Sequence, residues 1–85
     1  MKQGENMINA YILINMEPGH SDEAIAKMRK IENISKISVV AGDYDIVARV
    51  QVKTLENLLK VTNKIHMIKG IAKTTTQVIE KEIAL

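Results

Sequence analysis

The sequence predicts an α+β fold in the order β-α-β-β-α-β, a four-stranded antiparallel sheet carrying two helices on one face. Three observations predict it. Apolar, β-compatible runs occur four times along 85 residues, at 9–16, 34–40, 45–52 and 71–79. Between the first and second runs, and again between the third and fourth, apolar residues recur at the spacing of a helix that buries one side. The middle two runs are joined by Gly42, Asp43, Tyr44 and Asp45, a turn that returns the chain antiparallel.

Residues 9–16 carry Ala10, Ile12, Ile14 and Met16 on one alternating set and Tyr11 and Leu13 on the other, the pattern of a central strand. Pro18-Gly19 stops it, and Ser21 is expected to cap a helix running to about Ile31, with Asp22 and Glu23 complementing its dipole. Ala24, Ile25, Met28 and Ile31 form its apolar side, with Lys27, Arg29 and Lys30 mostly outward. The second strand is 34–40. In the third, Ile46, Ala48, Val50 and Val52 alternate with Val47, Arg49 and Gln51. Thr54 caps a second helix whose buried stripe is expected to be Leu55, Leu58, Leu59, Thr62 and Ile65. Gly70 ends the helical region, and 71–79 is a threonine-rich last strand. The chain is thus a single domain over 1–85, with 1–8 and 80–85 as flexible or tail segments. Two βαβ halves joined by a hairpin make the ferredoxin-like, or split βαβ, arrangement. Right-handed crossovers put both helices on the same face.

The other face decides the quaternary expectation. Strands one to three are apolar on both alternating sets, whereas a solvated face alternates to polar. No third helix is available to cover it, so another copy of the chain is expected there. Composition agrees: a small domain without cysteine has no disulfides or thiolate metal sites to support it, which leaves association. The net charge is +2 and the lysines are scattered, so the basic stripe that marks nucleic-acid binding is missing. No apolar stretch approaches the ~20 residues that span a bilayer. Residues 1–9 lack the hydrophobic middle of a signal peptide, and the expected location is the cytoplasm.

Chemistry concentrates at the turn. A hairpin needs Gly, Asn or Asp where φ is positive, but neither a tyrosine nor a second aspartate. Asp43 and Asp45 stand at strand period two, yet no other acid clusters nearby, so a metal centre or a carboxylate pair is disfavoured. Two readings of the turn stay open: a carboxylate that binds a cationic amine beside the permissive Gly42 backbone, or a capped turn with Tyr44 packed on its neighbours. Thr74 and Thr76 point to one face of the last strand and bring two hydroxyls; an ordinary strand is the default reading. His20 and His66 are not at metal-ligand spacing, and no nucleophile triad, GxGxxG or P-loop lysine motif occurs. Arg49 reads as an interface or edge charge pair, with carboxylate capture as the alternative. Methionines 7, 16, 28 and 67 read as core or interface filler.

From about residue 8 to 79 the chain resembles the effector domain of Lrp/AsnC-type transcriptional regulators, also called the RAM domain. The resemblance rests on Glu17-Pro18-Gly19, on Val39-Val40-Ala41-Gly42-Asp43-Tyr44-Asp45-Ile46-Val47, and on Gly70-Ile71 followed by Thr74-Xaa-Thr76. It implies a ferredoxin-like fold that dimerises through its sheet as an α/β-barrel-like dimer, assembles into tetramers or octamers, and binds amino acids between dimers. It implies that Gly42, Asp43, Tyr44 and Asp45 face the ligand, with Thr74 and Thr76 of a neighbouring subunit completing the site. No cofactor or metal is implied. Two departures stand out: residues 1–8 are too short for a helix-turn-helix, so direct DNA binding is not inherited, and Ala41 replaces a frequent threonine. The expected function is a non-enzymatic, stand-alone amino-acid-sensing module that joins full-length regulators through matching interfaces. A purely structural oligomerisation subunit is the alternative, and a small ferredoxin-like dimeric enzyme ranks below both.

Overall fold

The computed structural model describes residues 7–85. Its elements are β1 (Ile8–Met16), α1 (Ser21–Met28), β2 (Ile34–Val39), β3 (Ile46–Val52), α2 (Leu55–His66) and β4 (Ile71–Val78). The strands form one sheet in the order β2-β3-β1-β4, every neighbouring pair antiparallel. The expected order and the central place of the first strand both hold. Of the expected leading segment 1–8, residues 1–6 lie outside the described residues, and Ile8 already belongs to β1.

One face of the sheet packs on the helices. Ala10, Ile12, Ile14, Ile46, Ala48, Val50 and Val52 are buried there against Ala24 and Met28 of α1 and Leu58, Val61 and Ile65 of α2. Each large aliphatic side chain so buried contributes about 1.5–3 kcal/mol, which lets a core without Phe or Trp hold the domain. Among the described residues no helix is long and apolar enough to cross a membrane.

Three local expectations need correction. Ser21 is the first residue of α1 and not its cap: His20 takes the N-cap position, its carbonyl accepting from Ala24 N at 3.1 Å and its side chain making no cap bond. The helix ends at Met28, not near Ile31, because the chain tightens into turns and reaches Asn33 at φ 79°. In α2, Thr54 does cap, accepting from Asn57 N at 3.0 Å. The stripe is rotated, however: Leu55 and Leu59 are 61% and 62% exposed, and Val61 is buried in their place. Leu58, Val61 and Ile65 suffice to cover the strands beneath, so Leu55 and Leu59 lie outside the contact.

The helix-free face is less uniformly apolar than the sequence suggested. Paired residues share a face, so Leu13 stands beside Val47 and Thr75, and Tyr11 beside Arg49 and Gln77. Ser38 and Lys36 extend those two rows onto β2. The apolar band is therefore Tyr11, Leu13 and Val47, with polar margins on both edge strands. Residues 80–85 have no regular structure, but Glu82 reaches Arg49 at 3.0 Å across this face. Arg49, expected in an interface or edge charge pair, stands instead on the central strand β3 and pairs within the chain with the tail.

Candidate functional site

The β2–β3 loop is closed by Val40 N donating to the Asp45 carbonyl at 2.9 Å. Gly42 sits at φ 136°, a conformation that side chains with a Cβ rarely adopt. The loop is then tied to the end of β1. Asp45 N donates to the Ile14 carbonyl at 2.9 Å. Asn15 Nδ2 donates to the Asp43 carbonyl at 2.8 Å, and Met16 N donates to Asp45 Oδ2 at 2.8 Å. Met16 N lies on the β3 side of β1, beyond the last β1·β3 rung at Ile14–Ile46, so the Asp45 carboxylate takes the place of a ladder partner that β3 no longer supplies.

The two aspartates are consequently unlike. The Asp45 carboxylate is half-buried and already accepts a backbone N–H. Asp43 is exposed, and its carboxylate makes no hydrogen bond or ion pair among the described residues. Tyr44 between them is half-buried. The arrangement offers one committed carboxylate that fixes the loop and one exposed carboxylate that can accept from a cation or a donor. Among the described residues no group of three His, Cys, Asp or Glu could hold a metal ion.

Thr74 and Thr76 lie elsewhere in the protomer. They pair with Ile14 and Ile12 and so share the helix side of the sheet, at the β4 edge. Ile14 separates Thr74 from Ile46 beside the loop, which puts two strand spacings, about 9–10 Å, between them. Thr74 Oγ1 lies 2.7 Å from His66 Nε2, joining β4 to the end of α2. Within one protomer the loop and the threonines are not brought together. Sequence reasoning passed over Asn15, and it set His66 aside as a metal ligand without foreseeing its contact with Thr74. Asn15 was detectable as a polar residue interrupting an apolar strand, whereas the His66 contact depends on how α2 packs.

Gly70 has a distinct structural role. Its φ is 94°, and a Cβ there would lie 2.4 Å from His20 Cβ. Its carbonyl accepts from Glu17 N at 2.8 Å, so the two αβ and βα connections cross in close contact.

Comparison with known proteins agrees with the architecture. The family model described as the Lrp/AsnC ligand binding domain matches residues 9–84. The HTH-type transcriptional regulator FL11 of Pyrococcus furiosus is 31% identical over 92% of this chain and 51% of its own length. The chain thus spans about half the length of that curated relative. A segment of the homocitrate synthase of Sulfurisphaera tokodaii is 28% identical over 96% of the chain, but this is 18% of that enzyme. Among solved structures, TTHA0845 of Thermus thermophilus superposes with a TM-score of 0.85 at 25% identity, covering 92% of this chain and 99% of that one. The feast or famine regulatory protein of M. tuberculosis complexed with L-methionine gives 0.82 at 21% identity, over 100% of this chain and 60% of that one, a likeness of fold. With the sheet order, the helix placement and a family match over nearly its whole length, the chain belongs to the Lrp/AsnC ligand-binding domain family.

Proposed function

We propose that this protein is a non-enzymatic effector module that binds a small amino acid at a site shared between subunits and reports it by shifting its assembly. The carrying observation is the division of labour in the loop: Asp45 holds the loop in place while Asp43 leaves its carboxylate exposed. A fixed loop with a free carboxylate suits an ammonium group, and Gly42 permits close approach of the ligand. Tyr44 and Asp45 shape the loop, and Thr74 and Thr76 of a neighbouring copy supply hydroxyls for the ligand carboxylate. The L-methionine complex of the M. tuberculosis relative supports an amino acid as the ligand class. The size of TTHA0845, matched over 99% of its chain, supports a self-contained module. Its place is the cytoplasm, where it works on its own copies and on full-length regulators of the family, without contacting DNA directly. The Tyr11, Leu13 and Val47 band supports pairing of two copies through the helix-free face.

Calorimetric titration with each of the twenty amino acids tests this. At least one is expected to bind, and Asp43→Ala is expected to weaken it by about 10- to 100-fold, the value of a charge-assisted hydrogen bond. A folded protein that binds none of them overturns the sensing reading. One observation favours a second reading, a purely structural oligomerisation subunit: the Asp45 carboxylate is already satisfied within the chain, as a turn that only shapes an interface requires. Under it, Tyr44→Ala changes oligomer mass and no amino acid has any effect.

A further inference from the structure

Two cations stand together on the helix-free face. Lys36 of β2 and Arg49 of β3 are register partners, so their side chains leave the sheet side by side. Like charges placed directly opposite one another repel, and an anion set over the pair relieves that repulsion. The tail supplies such an anion in Glu82, whose Oε1 lies 3.0 Å from an Arg49 terminal nitrogen. A lone carboxylate against the pair still leaves positive charge uncompensated.

The surrounding groups form a cavity of about 390 Å³, lined by Tyr11, Lys36, Ser38, Val47, Arg49 and Glu82. Small-molecule sites run from about 300 to 1,000 Å³, so the space is sufficient. Its donors are largely unused. Glu82 engages a single N–H of the guanidinium, whose fork can grip both oxygens of a carboxylate. Among the described residues, the Lys36 ammonium and the Tyr11 and Ser38 hydroxyls make no hydrogen bond or ion pair. The Arg49 side chain is 19% exposed and that of Glu82 is 52% exposed, so the cation is the fixed member of the pair and the tail carboxylate the replaceable one. An ion pair with so exposed a member contributes little, and a competing carboxylate displaces it readily.

We propose that this cavity is a second ligand site, distinct from the β2–β3 loop, and that it takes a small dicarboxylate. One carboxylate of the ligand occupies the Arg49 fork in place of Glu82, and the other meets Lys36. The Tyr11 and Ser38 hydroxyls donate to the remaining oxygens, and Val47 gives an apolar wall to the hydrocarbon spacer. Glu82 is then a built-in competitor that holds the site when the ligand is absent. The groups all belong to one protomer, and none of them belongs to the loop or to the threonine pair. Failure of the amino-acid reading therefore leaves this site standing, and the reverse holds too. Pairing of copies through the neighbouring Tyr11, Leu13 and Val47 band would draw water away from the two cations and strengthen their hold on the anion.

Calorimetric titration of the full chain with succinate at low ionic strength tests it, with acetate and sulfate as comparators. Succinate is expected to bind once per protomer, at least tenfold more tightly than acetate or sulfate. Arg49→Met and Lys36→Met keep the aliphatic stems and remove the charges, and each is expected to weaken succinate at least fivefold. Lys36 is exposed, so its substitution leaves the fold intact and keeps the test valid even where Arg49→Met does not fold. Glu82→Gln removes the competitor and is expected to tighten succinate about two- to fivefold, an effect opposite in sign to that of the other two variants. Succinate that binds no better than acetate or sulfate overturns the site, as does equal affinity in Lys36→Met and wild type. A Glu82→Gln protein that binds succinate more weakly than wild type overturns it as well, because Glu82 would then support the cavity and not compete for it.

Discussion

Asp45→Ala separates the two aspartates by their consequences for stability. Asp45 Oδ2 accepts from Met16 N at 2.8 Å in a part-buried setting, and β3 supplies no substitute because its pairing with β1 ends at Ile14–Ile46. Losing a hydrogen bond to a charged group, and leaving that N–H short of a partner, costs about 2 kcal/mol. For a domain of this size each kcal/mol lowers Tm by about 4–8 °C, so the expected fall is about 8–16 °C. Asp45→Asn keeps a neutral acceptor and recovers part of the loss. Asp43→Ala removes an exposed side chain and stays within about 0.5 kcal/mol of wild type. Calorimetry at one fixed protein concentration, without amino acids, holds the contribution of assembly constant. Equal Tm values for Asp45→Ala and Asp43→Ala would refute the assignment of Asp45 as the residue that fixes the loop.

Two further substitutions probe the frame around the site. Gly70→Ala introduces a Cβ against His20 at a positive φ, and urea unfolding is expected to show a loss of about 2 kcal/mol or more, partly relieved by adding His20→Gly. Thr54→Ala removes the α2 cap and is expected to cost about 1 kcal/mol in the same assay, with little change in ligand affinity.

Periodicity carried most of the architecture into the sequence. The alternation from Ile46 to Val52 reappears as strict in-and-out burial, and Thr54 is legible as a cap because its hydroxyl needs only the next turn of its own helix. What was not legible depends on rotation and on distant partners. Leu55, Leu58 and Leu59 are equivalent as letters, and only the packing of α2 on the sheet decides that Leu58 is buried and its neighbours are not. Ser21 reads as a better cap than His20, but the position was settled by where the chain leaves the Pro18-Gly19 turn. At the loop, residue types announced chemistry without dividing it. Asp43 and Asp45 become distinguishable once the end of β1 is seen to need a hydrogen-bond acceptor.

The bond from Ile79 N to Asn9 O has a mechanical consequence. The beginning of β1 and the end of β4 lie side by side at the same end of the sheet. Tension applied through the two ends of the chain therefore loads the β1·β4 ladder one rung at a time, as a zipper, and does not shear all rungs together. The first strand to peel would carry Ala10, Ile12 and Ile14 out of the core, so an isolated protomer should yield at low force.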